Sequence, residues 1–203
     1  MKIVGILGSP RRGGNTETLL DIALGEAQEK NIITDKIALR DTSIAPCDGC
    51  QGCIEKGTCV IDDDAQEMYR AMLESDGIIW ATPVYFWSMT SQTKVLIDRT
   101  YALTFPTLQL ANKVGGLILV AGSRGCMNTA NIFHQYFTYN HMFFAEFAWG
   151  YASTKGEIKK NDFAIKMARE MVHQMIGLIN ANLKYPKEFD APILRFAKKK
   201  YRL

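Results

Sequence analysis

Four cysteines lie within residues 47–59, at a spacing that metal sites use. They form the pattern C-x2-C-x2-C-x5-C through Cys47, Cys50, Cys53 and Cys59. Zinc sites usually separate two C-x2-C pairs, whereas thiolates repeated at x2 intervals are typical of ferredoxin loops around an iron–sulfur cluster. Glycines between the cysteines allow the loop to fold back on itself. Three hypotheses remain open: a [4Fe–4S] cluster, zinc, or no metal, with free thiols or a redox pair.

A glycine-rich stretch over residues 8–16 has the composition of a phosphate site. Its sequence, GSPRRGGNT, follows an apolar run and precedes a segment with helical spacing. Glycines let the backbone approach an anion closely, and the following helix presents N–H groups and its positive dipole end. Ser9, Asn15 and Thr16 offer side-chain donors, and Arg11 or Arg12 offers a full charge. A tight turn with surface arginines is the alternative interpretation.

Two common nucleotide motifs do not fit this stretch. A P-loop requires G-x-x-x-x-G-K-[S/T], and Gly14 stands where the lysine should be. The dinucleotide fingerprint G-x-G-x-x-G is also missing after the first apolar run. The loop therefore favours a single phosphate monoester over a nucleoside triphosphate or a dinucleotide.

The elements that must position these residues alternate along the chain. Short apolar strands are predicted at 2–7, 32–39, 77–81, 113–121 and 146–152, with helical patterns between them. This five-fold alternation predicts an α/β fold with a doubly wound five-stranded parallel sheet in the order 2-1-3-4-5. We expect one domain over 1–203, with a cysteine-rich insertion loop at 41–60 and a basic C-terminal arm at 184–203.

Two helix boundaries are predicted from local signals. Asp64 and Glu67 have the spacing of a capping box at the start of a helix. A helix over 128–144 is expected to precede the fifth strand.

Ligands of such sheets bind at the carboxyl ends of the strands where the strand order reverses, here between strands one and three. Loop 82–91 meets the glycine-rich loop there and carries three aromatics, Tyr85, Phe86 and Trp87, which could stack on a flat ring. Turn 122–125 could offer backbone N–H groups to polar ring edges. A phosphate with a large flat polar ring and no second nucleotide describes flavin mononucleotide (FMN). A subunit interface or a core plug is the alternative for the aromatic loop.

Composition narrows the class of protein. The chain has 203 residues, a net charge of +3 and 22% charged residues, which gives no argument for nucleic acid. No apolar run reaches the length of a membrane helix, and no signal-peptide pattern begins the chain. We expect no membrane association and a cytoplasmic location, where thiols stay reduced. The fifth cysteine, Cys126, is interpreted as a buried or loop thiol.

The sequence resembles the NAD(P)H-dependent FMN reductases of flavodoxin-like fold. Residues 8–11 and 14–16 resemble that family's phosphate signature, residues 82–89 its isoalloxazine-contacting loop, and residues 94–99 the helix that follows. The resemblance implies noncovalent FMN and a homodimer or homotetramer. By it, the phosphate signature comprises Ser9, Arg11, Gly14, Asn15 and Thr16. The implied ring contacts are Pro83, Val84, Tyr85, Phe86 and Trp87, joined by the turn residues Gly122, Ser123 and Gly125.

The compact cysteine motif resembles the iron–sulfur flavoproteins, a branch of the same FMN-binding fold that carries a [4Fe–4S] cluster. This resemblance implies that Cys47, Cys50, Cys53 and Cys59 are the cluster ligands.

Two functions remain open at this point. The first is an FMN oxidoreductase that passes electrons from NAD(P)H through the flavin to a quinone, azo compound, nitro compound, metal ion or free flavin. The alternative is an electron carrier that exchanges electrons with a ferredoxin-like protein through a [4Fe–4S] cluster. No side chain is expected to act as a catalytic acid or base, because the cofactor supplies the chemistry. No sequence feature argues for a third class, a flavin-loaded regulator.

Overall fold

Five parallel strands form the centre of the molecule. They are β1 (Lys2–Leu7), β2 (Ile33–Ala38), β3 (Gly77–Pro83), β4 (Val114–Ala121) and β5 (Phe143–Tyr151). Their order is β2-β1-β3-β4-β5 and every neighbouring pair is parallel. The predicted flavodoxin-like, doubly wound order is therefore confirmed.

The computed structural model describes residues 1–186 together with Arg195, Lys199 and Lys200. Most of the predicted basic arm, 184–203, lies outside the described residues. None of the helices within this described part is both long enough and apolar enough to cross a membrane.

Helices cover both faces of the sheet. They are α1 (Asn15–Glu29), α2 (Gly52–Lys56), α3 (Ala65–Glu74), α4 (Ser91–Arg99), α5 (Tyr101–Thr104), α6 (Cys126–Tyr139) and α7 (Asp162–Ala181). In β1, Ile3 and Leu7 pack against the α1 and α7 side, whereas Val4 and Ile6 pack against the α3, α4 and α6 side. Because successive strand residues point to opposite faces, a strand buried on both faces must be apolar throughout.

The boundary between α6 and β5 differs from the prediction of a helix to residue 144. The helix ends at Tyr139 because Asn140 is buried and its amide donates to the Tyr136 carbonyl at 2.8 Å. His141 then takes a positive φ of 54°, and β5 begins at Phe143. Phe144, the predicted last residue of the helix, belongs instead to β5, where its ring stacks on Phe137.

The predicted capping box at the start of α3 is wrong. Asp64 is the N-cap residue, but its side chain makes no cap hydrogen bond and instead accepts the Ser43 N–H at 2.6 Å. The preceding Asp63 accepts the Ala65 N–H at 3.0 Å. Both carboxylates accept hydrogen bonds from the cysteine-rich segment. Local sequence spacing does not reveal a partner so distant along the chain.

Gly115 on β4 tests how tightly the sheet and α6 pack. A Cβ atom there would lie 2.5 Å from the ring of Phe137, which is fully buried. We expect Gly115→Ala to lower the free energy of unfolding by about 1–3 kcal/mol through overpacking. The measurement is urea denaturation followed by circular dichroism.

Gly177→Ala on α7 is the matched control for this substitution. Its Cβ would meet no described atom within 4 Å beyond its own helix backbone and chain neighbours. Alanine is the better helix former, so this variant should gain about 0.5–1 kcal/mol. Equal effects of the two substitutions would contradict the packing of α6 on β4.

Candidate functional site

The glycine-rich loop begins with a close contact between Gly8 and α4. The Gly8 N–H donates to the Ala81 carbonyl at 2.7 Å, and the Gly8 carbonyl accepts the Thr90 hydroxyl at 2.7 Å. A Cβ atom on Gly8 would lie 1.8 Å from the Thr93 hydroxyl oxygen. Only glycine fits this approach, which joins the first loop to the start of α4.

Three buried threonines extend this contact into a hydroxyl network. The hydroxyls of Thr90 and Thr93 lie 2.9 Å apart, and Thr82 accepts the Thr90 N–H at 3.2 Å. Thr90 is also the N-cap of α4, since its hydroxyl accepts the Thr93 N–H. These threonines were not predicted from the sequence, although a threonine directly before a helical segment, as Thr90 is, is an N-cap signal.

Helix α1 begins at the end of the glycine-rich loop. Its N-cap is Gly14, and no side chain in the described part of the chain caps it. The first N–H groups of a helix have no intrahelical partner, so they are available to an anion together with the positive end of the dipole.

A buried ion pair between Glu17 and Arg40 packs against the glycine-rich loop and holds it in place. The two side chains are 10% and 11% exposed, with Arg40 Nη2 2.9 Å from Glu17 Oε1. Glu17 also accepts the Gly13 N–H at 2.8 Å. Burial alone would raise the pKa of Glu17, but its hydrogen bonds to Arg40, Gly13 and Lys36 lower that pKa to about 2. The sequence analysis missed this pair because its partners come from different elements.

The carboxyl ends of the strands enclose a cleft of about 260 Å³. Predicted site residues from all three loops line it: Ser9, Arg11, Gly14, Asn15, Thr16, Pro83, Tyr85 and Gly122. The remaining lining residues come from the strand ends and the β5–α7 loop: Val120, Ala121, Ala152 and Ser153. The predicted residues Val84, Phe86, Trp87, Ser123 and Gly125 are not among the lining residues.

The Asn15 side chain is turned toward the β5–α7 loop. Its Nδ2 donates to the Thr154 carbonyl at 2.8 Å, and its Oδ1 accepts the Gly156 N–H at 2.9 Å. Asn15 thus hydrogen-bonds the β5–α7 loop, which forms one wall of the cleft, to the start of α1.

The aromatic loop makes a tight turn at the rim of the site. Tyr85 and Ser88 exchange backbone hydrogen bonds at 2.8 and 3.1 Å, and Phe86 and Trp87 between them have positive φ values of 49° and 63°. Bulky residues rarely adopt this conformation, and Phe86 is 92% exposed. The turn also contacts the third loop, since a Cβ atom on Gly125 would lie 2.9 Å from the Trp87 Cα.

These features fit the phosphate end of FMN. The uncapped N-terminus of α1, the residue Arg11 and two buried hydroxyl residues, Ser9 and Thr16, line one cleft. This donor set suits an anion and offers no carboxylate among the lining residues. The exposed aromatic turn stands beside the cleft as apolar surface for a flat ring.

The four clustered cysteines line a second pocket, of about 60 Å³. Its backbone makes sharp turns, with left-handed φ values at Gly49, Gln51 and Gly57. A Cβ atom on Gly52 would lie 2.9 Å from the Val60 side chain, so the loop folds back where a glycine permits it. Throughout the described residues, no three His, Cys, Asp or Glu side chains are arranged as ligands of one metal ion.

Burial is the largest cause that raises the pKa of Cys53. The neighbouring thiols of Cys59, Cys47 and Cys50 raise that pKa further. A cubane cluster binds each thiolate through a different iron, so its ligands stand further apart than those of one ion. Four cysteines around one pocket fit this ligand set.

Arg99 and Asp63 close the base of the cysteine loop. Arg99 donates to the Ala45 carbonyl at 2.8 Å, to the Ile61 carbonyl at 3.3 Å, and to both Asp63 carboxylate oxygens at 2.6 and 3.0 Å. Asp63 in turn accepts the Ala45 N–H at 2.9 Å. One ion pair therefore holds the two chain segments that flank the cysteines. This pairing was not predicted: the sequence placed Asp63 in an aspartate run that caps a helix and assigned no role to Arg99.

Known proteins share both the sequence and the fold of this chain. A family model described as NADPH-dependent FMN reductase matches residues 1–154. An iron–sulfur flavoprotein of Methanocaldococcus jannaschii is 39% identical over an alignment of 192 positions that covers 88% of this chain and 99% of that protein. An iron–sulfur flavoprotein of Methanosarcina thermophila is 44% identical over 124 residues, 61% of this chain; the match spans 65% of that protein, less than two thirds.

A solved structure extends the similarity of fold to the whole chain. RosB, determined with the bound intermediate 8-demethyl-8-formylriboflavin-5'-phosphate, has a TM-score of 0.78 over 99% of this chain and 87% of RosB. The two sequences are 20% identical, so this likeness concerns the fold alone.

The Glu17–Arg40 pair gives the protein a specific acid sensitivity. The folded-state pKa of Glu17, about 2, lies below its ordinary value of 4.5, so its stabilisation is present above pH 4.5 and is lost as the pH falls toward 2. We expect the stability advantage of the wild type over Glu17→Gln to shrink by about 1.4 kcal/mol between pH 7 and pH 3.5. Urea titrations at both pH values measure it.

Glu29→Gln on the exposed end of the same helix is the control, and its effect should not follow this pH profile. An equal advantage over Glu17→Gln at pH 7 and pH 3.5 would show that the buried ion pair does not stabilise the loop.

Proposed function

Because the chain belongs to the NADPH-dependent FMN reductase family, we propose that it is an iron–sulfur flavoprotein: an FMN-dependent oxidoreductase that moves electrons between a [4Fe–4S] cluster and FMN. The observation that carries this proposal is that Cys47, Cys50, Cys53 and Cys59 line one pocket. Two relatives named iron–sulfur flavoproteins support it by name.

The chain's own residues have separate tasks in this proposal. The four thiols hold the cluster, with Gly49 and Gly57 supplying the turns between them. Ser9, Arg11 and the N-terminus of α1 bind the phosphate, and the turn at Tyr85, Phe86 and Trp87 covers the ring. When bound, FMN supplies an isoalloxazine ring that takes up or gives one or two electrons. The protein then orients the two groups relative to each other.

A second candidate function is NAD(P)H-dependent reduction of the flavin, with a quinone, azo or nitro compound or metal ion as acceptor. The description of the matching family as NADPH-dependent favours it. Anaerobic mixing with NADPH and with NADH tests it directly. Bleaching of the flavin absorbance would support this candidate, and unchanged absorbance with both nucleotides would contradict it.

We further propose a cytoplasmic homodimer or homotetramer. None of the five cysteines forms a disulfide, as expected in a reducing compartment. The exposed aromatic residues Phe86, Trp87, Tyr101 and Tyr139 are typical of interface positions.

The cluster proposal predicts a metal content that depends on single cysteines. Protein purified without oxygen should contain about four iron atoms and four acid-labile sulfides per chain, as the cluster formula requires. Cys53→Ser should lose most of both, because a pocket with three thiolates binds the cluster less tightly. Metal and sulfide analysis with the visible spectrum measures the effect.

Cys126→Ser is the matched control, since Cys126 is buried at the start of α6 and is not among the residues that line the cysteine pocket. It should keep iron and sulfide at the wild-type level. Wild-type protein without iron and sulfide, or with zinc alone, would contradict the proposal.

The phosphate assignment predicts a selective loss of affinity. Arg11→Ala should weaken FMN binding by about tenfold to a hundredfold, because a hydrogen bond to a charged group is worth about 1.5–3 kcal/mol. Riboflavin, which lacks the phosphate, should bind the variant and the wild type equally. Fluorescence quenching of each flavin gives the dissociation constants.

Arg12→Ala is the control, since the Arg12 side chain pairs with Asp41 and does not line the cleft. Equal losses of FMN affinity in the two arginine variants would contradict a specific role for Arg11.

A further inference from the structure

Arg99 is the one cation among the described residues that line the cysteine pocket. Its side chain is 0% exposed, and its Nε has no hydrogen-bond partner within the described structure. A buried guanidinium with an unpaired N–H carries a desolvation cost. Negative charge in the pocket beside it would offset that cost.

The charge of Arg99 is permanent. Burial alone would lower its pKa, but the interactions with Asp63, Tyr69 and Cys59 raise that pKa overall. Arg99 faces the cysteine pocket as a fixed positive charge.

Two carboxylates also line this pocket, and both lie nearer to solvent. Asp98 is 46% exposed and pairs with Lys94 at 2.6 Å. Asp48 is exposed, and its carboxylate accepts the Cys50 N–H at 3.0 Å. Water and salt screen exposed charges strongly, whereas a buried charge acts through a lower dielectric. Arg99 and its partner Asp63 therefore dominate the electrostatic potential inside the pocket.

We propose that Arg99 is a positioning residue that sets the reduction potential of the group held by the four cysteines, with Asp63 partly offsetting its charge. The inference rests on the proposed [4Fe–4S] cluster. One-electron reduction makes the bound group more negative by one charge, and a fixed buried cation stabilises the reduced form. The same guanidinium bonds residues 45 and 61, so one side chain sets both the geometry of the loop and the charge beside it.

The test uses two substitutions that break the same ion pair. Arg99→Gln removes the cation, so it should lower the cluster potential. Asp63→Asn leaves the cation uncompensated, so it should raise the potential. We expect each to change the one-electron equilibrium constant by about tenfold, or about 59 mV. The potentials are measured by anaerobic redox titration with dithionite, followed by electron paramagnetic resonance of the reduced cluster.

Arg99→Lys is the matched control for charge, because it keeps the cation and loses the two-pronged hydrogen bonding. Its equilibrium constant should stay within about threefold of the wild type. If circular dichroism shows that Arg99→Gln does not fold, Arg99→Lys and Asp63→Asn decide the question. The proposal then requires a potential near the wild type in the first and a raised potential in the second.

Shifts of the same sign in Arg99→Gln and Asp63→Asn would overturn the inference, because a purely structural role of the pair predicts that result. Unchanged potentials in both would overturn it equally. In either case iron and sulfide in the wild type would leave the proposed function standing. Wild-type protein without iron and sulfide would instead contradict the proposed function and this inference together.

Discussion

The close approach of Gly8 to the start of α4 is the constraint on which the ligand loops depend. With no room for a Cβ atom, the carbonyl of Gly8 reaches the Thr90 hydroxyl, and Thr90 begins the helix that ends in Arg99. The glycine-rich loop, the aromatic turn and the cysteine pocket are thus joined through one strand end and one helix. Because interiors are close-packed, a shift at Gly8 would be transmitted to all three.

Two buried arginines anchor the two ligand regions in the same way. Arg40 pairs with Glu17 beneath the glycine-rich loop, and Arg99 pairs with Asp63 beneath the cysteine loop. Each guanidinium also donates to backbone carbonyls, and each leaves its Nε without a hydrogen-bond partner in the described structure. Removing one partner of a buried pair is more costly than the pair is favourable. Such pairs specify loop geometry more than they add stability.

Periodicity and turn residues were sufficient to predict the sheet order, since each strand is a short apolar run between helical patterns. They were insufficient where a contact with a residue distant in sequence determines the local structure. Asp63 and Asp64 bind the cysteine-rich segment, so the local capping box failed. Asn140 and His141 end α6 at Tyr139, ahead of the predicted end at residue 144. Motifs were sufficient to predict residues from three loops that meet, since eight of the predicted residues line one cleft; their roles stay predictions. Arg40, Arg99 and Thr93 were not predicted, because their roles exist only once separate elements meet.

The cysteine loop leaves and rejoins the fold at nearly the same point. Ala45 and Ile61 both accept hydrogen bonds from the Arg99 guanidinium. The fifteen residues between them therefore form a loop whose two ends lie together. Closing a loop costs little more as the loop lengthens, about 0.6 kcal/mol for each doubling. A change in the length of this segment therefore costs little free energy by itself, because the guanidinium still joins its two ends and the strands and the cleft keep their places.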